Sequence, residues 1–164
     1  MAETNKETFS WNFNRALFTE KNTRLLLLID NDCLKMEMID GDNPYFVVDM
    51  KKAGKYLTVF DSDKKATEVK SAYSGYEIDN LLDYFDELNK YEEKRLLDIK
   101  SIYVDNQYYI RKVWENREIQ KYVNCTHGYK YCEGVNYGFE KLYRKIVKYG
   151  EAYSKTFQKG VGKG

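Results

Sequence analysis

Tyrosine residues placed beside lysine and arginine are the feature of this chain best suited to binding chemistry. The 164 residues include 16 tyrosines, against one histidine and one proline. A tyrosine ring has a flat apolar face on which a nucleotide base can stack, and a neighbouring lysine or arginine can pair with a phosphate. The candidate nucleic-acid-binding residues are Tyr45, Lys52, Lys55, Tyr56, Tyr103, Tyr108, Tyr109, Arg111, Lys112, Arg144 and Lys145.

The same side chains have two other interpretations. Aromatic residues at alternate positions of a strand usually form a half-buried core and cross-strand pairs rather than base-stacking platforms. Tyrosine and arginine are also enriched where one protein binds another. Composition therefore does not separate a nucleic-acid partner from a protein partner.

A metal site is considered for segment 125–132, in which the single histidine, His127, lies between Cys125 and Cys132. Structural zinc sites take four thiolate or imidazole ligands, whereas this segment supplies three at a spacing unlike the common clusters. We therefore predict a loop without a metal. None of the common nucleotide-binding or hydrolase motifs occurs, and no cofactor is predicted.

A magnesium-dependent nuclease is the enzymatic alternative. Asp49 and Lys51 form a D-x-K triplet, and Asp30 or Asp42 precedes it. In nucleases of the restriction-enzyme type, two such carboxylates bind Mg²⁺ and the lysine orients the attacking water. Triplets of this kind are common in sequences, so this hypothesis ranks third and we predict no catalytic residue.

Charge is distributed unevenly along the chain, although the net charge is only +1. Segment 76–98 has eight acidic and three basic residues, whereas segment 138–164 has seven basic and two acidic residues. We expect an acidic face and a basic C-terminal end, and the basic end attracts phosphate. The longest aliphatic run is five residues, so no membrane span is expected. Three cysteines, an odd number, favour a reducing compartment, and the expected location is the cytoplasm.

The elements that would position these residues are predicted from hydrophobic periodicity. Ser74 and Glu77 form a capping-box pattern before apolar residues at helical spacing, which predicts a helix over about 75–97. The same spacing predicts a C-terminal helix over about 139–157, followed by a flexible tail from residue 159. Segment 115–138 is expected to be rich in loops. Alternating residues and turn signals predict strands at 24–30, 33–39, 45–50, 55–61, 100–104 and 107–114, and a short strand near 67–72.

This order of elements predicts an α+β fold. The fold is either an OB-like five-stranded barrel with an inserted helix or a small antiparallel sheet with helices packed on one face. The expected organisation is an N-terminal arm over 1–23, a single core domain over 24–137, and a basic helix with its tail over 138–164.

Three functions are considered, in order of preference. The first is a non-enzymatic protein that binds single-stranded nucleic acid by aromatic stacking and by lysine or arginine contacts to phosphate. The alternative is a protein-binding inhibitor or regulator from a phage or mobile element, which would use the same tyrosine-rich surface and the acidic helix. The nuclease is the third.

Overall fold

The computed structural model describes residue 17 and residues 19–39, 43–60, 70–124 and 137–161. Six helices and three strands lie in these ranges. The helices are α1 (Glu20–Asp30), α2 (Met50–Phe60), α3 (Gly75–Glu93), α4 (Ile99–Glu115), α5 (Arg117–Val123) and α6 (Tyr137–Val161). The strands are β1 (Leu34–Ile39), β2 (Asn43–Val48) and β3 (Ala72–Ser74). None of the described helices is long and apolar enough to cross a membrane.

The three strands form one antiparallel sheet in the order β1-β2-β3. Side chains alternate between its two faces, as the period of a strand requires. Leu34, Met36 and Phe46 are buried on one face, whereas Lys35 and Tyr45 are exposed on the other. The strand predicted at 33–39 is therefore confirmed, with the predicted alternation. The strand predicted at 45–50 is β2, displaced by two residues.

Helix α3 confirms the predicted central helix and its start. Ser74 Oγ accepts the Glu77 N–H at 3.3 Å, and the Glu77 carboxylate accepts the Ser74 N–H at 3.0 Å. The predicted apolar stripe is fully buried, and its members are Ile78, Leu81, Leu82, Phe85 and Leu88. The helix ends at Glu93 rather than near 97, because Arg95 adopts the left-handed conformation with φ of 61°.

Helices α3, α4 and α6 pack together. The rings of Phe85 on α3 and Phe139 on α6 lie 4.6 Å apart between centroids, and Trp114 on α4 lies 5.0 Å from Phe139. At the other end of α4, Tyr103 contacts Tyr149. Helix α4 is therefore antiparallel to α6, and α3 is parallel to α6. The C-terminal helix predicted over 139–157 is confirmed and is longer at both ends.

Helix α5 covers the outer edge of strand β1. The Asn116 side-chain oxygen caps the start of this helix by accepting the N–H groups of Glu118 and Ile119. The Glu118 carboxylate accepts the Met36 N–H at 3.3 Å, and the Tyr122 hydroxyl donates to the Asp79 carboxylate at 2.7 Å. These bonds attach α5 to both the sheet and α3.

The strand predicted at 24–30 is wrong, because this segment is helix α1. Thr19 caps the helix by accepting the Asn22 N–H at 3.4 Å. Leu25, Leu28 and Ile29 are buried on one side, a spacing that fits a helix and that a continuous apolar run does not reveal. Asp32 takes a left-handed φ of 52°, so the predicted turn exists but joins a helix to a strand.

Two further strand predictions are wrong. The predicted strand at 55–61 belongs to α2 up to residue 60, and the predicted hairpin over 100–114 is a single helix, α4. The Asp98 carboxylate starts α4 by accepting the Ser101 N–H at 2.8 Å. Ile102, Ile110 and Val113 then recur at helical spacing and are buried. The strand prediction was wrong because it used the intrinsic preference of tyrosine and isoleucine for strands. In the folded protein, packing against α6 overrides this preference and the segment is a helix.

These corrections exclude the five-stranded barrel and retain the α+β class. The structure is mostly helical, with one small antiparallel sheet. Strand β3, at Ala72–Ser74, overlaps the short strand predicted near 67–72 only at residue 72. Residues 70 and 71 are not in a strand, and residues 61–69 lie outside the described ranges. The tail predicted to begin at residue 159 is helical to Val161. Residues 1–16, most of the predicted arm, and residues 125–136, with the two cysteines and the histidine, also lie outside the described ranges.

Candidate functional site

The predicted binding residues are not brought together in one place. Tyr108, Arg111 and Lys112 lie on the outer face of α4 beside the end of α1, and Tyr103 lies at the opposite end of α4. Tyr45 is on the open face of the sheet and Lys55 is exposed on α2. The side chain of Tyr56 lies outside the described part of the structure. Arg144 and Lys145 are on α6.

Three of the predicted residues line a groove between the end of α1 and α4, which we call the Asp30 groove. Its volume is about 480 Å³, and it is lined by Ile29, Asp30, Asp32, Gln107, Tyr108, Arg111, Lys112, Glu115 and Asn116. The Tyr108 hydroxyl donates to both oxygens of Asp30, at 2.7 and 2.9 Å. This bond, together with desolvation, raises the pKa of Tyr108 above its ordinary value. Lys112 Nζ lies 3.7 Å from Asp30 Oδ1.

The charge of the Asp30 groove does not suit a polyanion. Three carboxylates line it, against the two cations Arg111 and Lys112. Arg111 pairs with Glu115 at 3.5 Å, and Lys112 pairs with Asp30. The last turn of α1 holds no basic residue, so the negative pole of that helix is added to the carboxylates. Lys52 reaches the same corner but donates to the Asp32 carbonyl at 3.3 Å.

Tyr108 and Tyr109 do not point to opposite faces, as they would on a strand. They are consecutive residues of a helix, and their rings meet edge to face with centroids 5.2 Å apart. Tyr108 is half exposed, whereas Tyr109 packs against the core. Tyr109 is therefore not available as a free stacking platform.

Lys145 and Arg144 also serve the protein's own structure. Lys145 Nζ donates to the Glu92 carboxylate at 2.7 Å and to the Asn89 side chain at 3.0 Å, and only 33% of its side chain is exposed. It therefore joins α6 to α3. Arg144 is well exposed and pairs with Glu140 one turn earlier, at 2.9 Å. Neither cation lies beside the predicted tyrosines.

A second grouping of aromatic and basic residues lies where α4 begins, and we call it the tyrosine end. The Tyr103 ring lies 5.0 Å from Tyr149 and 6.3 Å from Tyr153, between centroids. Tyr103 and Tyr149 are half-buried, whereas 58% of Tyr153 is exposed. The cluster therefore offers one exposed ring, Tyr153, which lies beside Tyr103, and Tyr103 in turn contacts Tyr149.

Five exposed cations lie in the chain segments that adjoin these tyrosines, and we count them as part of the tyrosine end. The ion pair between Lys145 and Glu92 places the last turn of α3 beside the turn of α6 that precedes Tyr149, and the chain continues from there into α4, which carries Tyr103. The segment between α3 and α4, with the first turn of α4, carries three of the cations, and α6 carries two. They are Lys94, Arg95, Lys100, Lys148 and Lys155.

These five cations have no acidic side chain within ion-pair distance among the residues that the structure describes. Asp98 and Glu151 are the acidic residues of the same segments, which leaves a local charge of +3. Unpaired cations beside an exposed ring can meet phosphate and base together. The tyrosine end therefore combines the aromatic and basic residue types that the sequence indicates for nucleic-acid binding.

Sequence reasoning found Tyr103 but missed the rest of the tyrosine end. Tyr149 and Tyr153 continue the apolar stripe of the C-terminal helix, so periodicity assigned them to the core. The signal that could have found them is the length of this apolar stripe, which continues along α6 to the residues that meet Tyr103 on α4.

No metal site is found in the described ranges, where no three histidine, cysteine or acidic side chains gather to hold an ion. Two carboxylates of the nuclease hypothesis have other roles, and the third, Asp42, lies outside the described residues. Asp49 Oδ1 accepts the Lys52 N–H at 3.1 Å at the start of α2, and Asp30 accepts the Tyr108 hydroxyl. Lys51 lies in α2 rather than on a strand.

Comparison of the chain with protein-family models, with curated proteins and with solved structures finds no match.

Proposed function

We propose that this protein binds single-stranded nucleic acid without catalysis and that the tyrosine end is the binding site. The observation that carries the proposal is the coincidence of three clustered tyrosines with five unpaired cations at one end of the helices. Elsewhere in the described structure the predicted aromatic and basic residues are buried, paired with acids or isolated from one another.

The physical basis is stacking supported by charge. Base stacking on an aromatic side chain contributes about 1 to 3 kcal/mol per base and tolerates any base, because every base has a π-face. Tyr153 exposes the largest ring surface for this contact. The neighbouring Tyr103 ring restrains it, which lowers the entropy lost on binding. The unpaired cations add a salt-sensitive attraction for phosphate.

The proposed site retains Tyr103 from the sequence-based set. The Asp30 groove is excluded because its carboxylates would repel phosphate, and Lys145 is excluded because it is committed to Glu92. Tyr45 and Lys55 lie on other elements and are not part of the site.

The proposal is tested by fluorescence anisotropy with a labelled poly-thymidine oligonucleotide over a salt series. The charge reversals Arg95→Glu and Lys100→Glu should each lower the affinity about tenfold and flatten the salt dependence, since about 0.7 counterion is released per single-strand phosphate contact. Lys55→Glu is the matched control, because it reverses an exposed cation on α2. It should change the affinity less than twofold.

Two results would count against the proposal. One is absence of binding by the parent protein at low salt, and the other is equal weakening by the control and by the site variants. Addition of Mg²⁺ to the same mixtures should leave the oligonucleotide intact. Shortening of the oligonucleotide would instead support the nuclease.

A protein partner is the second candidate, and the Asp30 groove favours it. The groove combines mixed charges with the half-exposed Tyr108, and Val104, one turn earlier on α4, is 70% exposed. Tyrosine and arginine beside an exposed aliphatic side chain are typical of protein interfaces. A photo-crosslinking amino acid at position 104, compared with one at position 148, would test this candidate. A defined protein adduct at position 104, with no oligonucleotide binding, would favour it over the first.

A further inference from the structure

Tyr153 is the one ring of the tyrosine end that is open to solvent. It is 58% exposed, whereas Tyr103 and Tyr149 are half-buried and pack against each other with their centroids 5.0 Å apart. Ala152 and Ser154, the neighbours of Tyr153 in α6, are also exposed. A flat ligand can therefore approach the Tyr153 ring from solvent, while the other two rings are largely covered.

The rings of the tyrosine end do not form one continuous platform. The Tyr103 ring is tilted by 56° against Tyr149 and by 40° against Tyr153. A base stacks with its plane parallel to the ring beneath it, so a base that lies flat on Tyr153 cannot also lie flat on Tyr103. Successive bases of a stacked strand are parallel to one another, so two of them cannot use these two rings together. The tyrosine end therefore offers one place for a stacked base.

We infer that the tyrosine end takes a single unpaired base, which stacks on Tyr153, and that the strand makes its remaining contacts through phosphate. The ligand is then a nucleic acid that presents one open base, at a strand end, in a loop or at a bulge. A long uniform single strand gains no second stacking contact. This inference rests on the proposed function and adds to it the number of bases that the site binds.

The two contributions to affinity depend on different parts of the ligand. Stacking of one base raises the affinity about fivefold to 150-fold and needs only that base. The attraction of phosphate to the exposed cations of the tyrosine end needs no base, increases with the number of phosphates and is weakened by salt. A ligand in which the phosphates are constant and the bases are added one at a time therefore separates the two contributions.

The test uses the full-length protein and oligonucleotides of about eight nucleotides that are abasic except for zero, one, two or three adjacent thymidines. Binding is measured by fluorescence anisotropy at low salt. The first thymidine should raise the affinity of the parent protein about fivefold or more, because it stacks on Tyr153. The second and third should each raise it less than about twofold, which is the statistical effect of additional equivalent bases.

Tyr153→Ala removes the stacking surface and should abolish the gain from the first thymidine, while the fully abasic oligonucleotide binds as it does to the parent. Tyr76→Ala is the matched control, because Tyr76 is 74% exposed at the start of α3, whereas Glu92 at the other end of α3 lies beside α6 near the tyrosine end. It should keep the gain. Tyr153→Phe should keep it as well, since the ring stacks and the hydroxyl does not. Circular dichroism verifies that the variants remain helical.

A second thymidine that raises the affinity as much as the first would overturn the inference, and so would an equal gain from the first thymidine in Tyr153→Ala and in the parent. If either result occurs while Arg95→Glu and Lys100→Glu still weaken binding, the proposed function stands and only the single base on Tyr153 is wrong. If the parent binds none of these oligonucleotides at low salt, both fail.

Discussion

The rings of Tyr103 and Tyr149 meet with their centroids 5.0 Å apart, and this contact joins α4 to α6 where the tyrosine end begins. The approach is possible because the next residue of α6 is Gly150. A Cβ atom at this position would lie 3.1 Å from the Tyr103 ring. The contact thus links the packing of two helices to the placement of the proposed stacking surface.

Gly150→Leu should displace the Tyr103 ring and lower the free energy of unfolding by about 1 to 3 kcal/mol, the usual cost of overpacking. The near-ultraviolet circular dichroism of the tyrosines should change with it. Ala152→Leu is the control, since it places the same side chain on an exposed part of the same helix. Urea unfolding of both variants checks the prediction, and equal stability of the two would contradict it.

Arg95→Gly should stabilise the protein by about 0.5 to 1 kcal/mol, because glycine adopts the left-handed conformation without a Cβ clash. Arg95 ends α3 with φ of 61°, and its N–H donates to the Glu92 carbonyl at 2.9 Å. The substitution should also weaken oligonucleotide binding severalfold, because it removes a cation from the tyrosine end.

Asp32→Gly is the companion variant, because Asp32 ends α1 in the same way with φ of 52°. It should give a similar gain in stability with no loss of oligonucleotide affinity. If Asp32→Gly stabilises the protein and Arg95→Gly does not, then Arg95 has a structural role that its backbone angle does not reveal.

Asn106→Leu should raise the free energy of unfolding by about 1 to 2 kcal/mol, because an unsatisfied buried polar group is replaced by an apolar side chain of similar shape. Asn106 is 2% exposed, and its side-chain oxygen has no hydrogen-bond partner. Asn116 provides the contrast, since its amide donates to the Ile29 carbonyl at 3.2 Å and its oxygen caps α5. Asn116→Ala should cost about 2 to 3 kcal/mol. Thermal or urea unfolding that ranks the two variants in the opposite order would refute the assignment.

Asp79→Asn should stabilise the protein at neutral pH and lose this advantage as the pH falls. Burial raises the pKa of Asp79, and the Asp83 carboxylate adds to the rise, although the bond from the Tyr122 hydroxyl opposes it. A carboxyl whose pKa is higher in the folded state than in the unfolded state destabilises the fold while it is ionised. Stability therefore increases as the pH falls through the raised pKa towards the ordinary value of about 3.9.

The comparison of parent and Asp79→Asn isolates this one carboxyl, because the amide oxygen can still accept the Tyr122 hydroxyl. Urea unfolding at pH 7 and near pH 4 is the measurement. An advantage of the variant that is the same at both values would contradict the raised pKa of Asp79.

Much of the fold could be predicted where the hydrophobic pattern was long and regular. Helix α3, its capping box and the buried face of β1 follow from local spacing. Helices α1 and α4 could not be predicted from local spacing, for two different reasons. The apolar run from Leu25 to Ile29 has no period, and the tyrosines and isoleucines of 99–115 favour a strand until packing against α6 overrides them.

The candidate site was predictable in chemical type but not in position. Tyr103 was selected because basic residues flank it, and the same rule selected Tyr108, whose hydroxyl is bound to Asp30. Whether a cation is free or paired depends on residues far away in the chain, as with Lys145 and Glu92. Tyr153 was missed because its exposure depends on where α3 ends and α4 begins.

Photochemical crosslinking of the protein to a thymidine oligonucleotide, followed by mass spectrometry of the modified peptides, tests the central claim most directly. Aromatic side chains that stack on a base lie close enough to form an adduct. We predict crosslinks at Tyr153, with weaker modification of Tyr149 or Tyr103, and their loss at high salt. Crosslinks at Tyr108 or Tyr45 instead, or no adduct at low salt, would contradict the assignment of the tyrosine end as a nucleic-acid site.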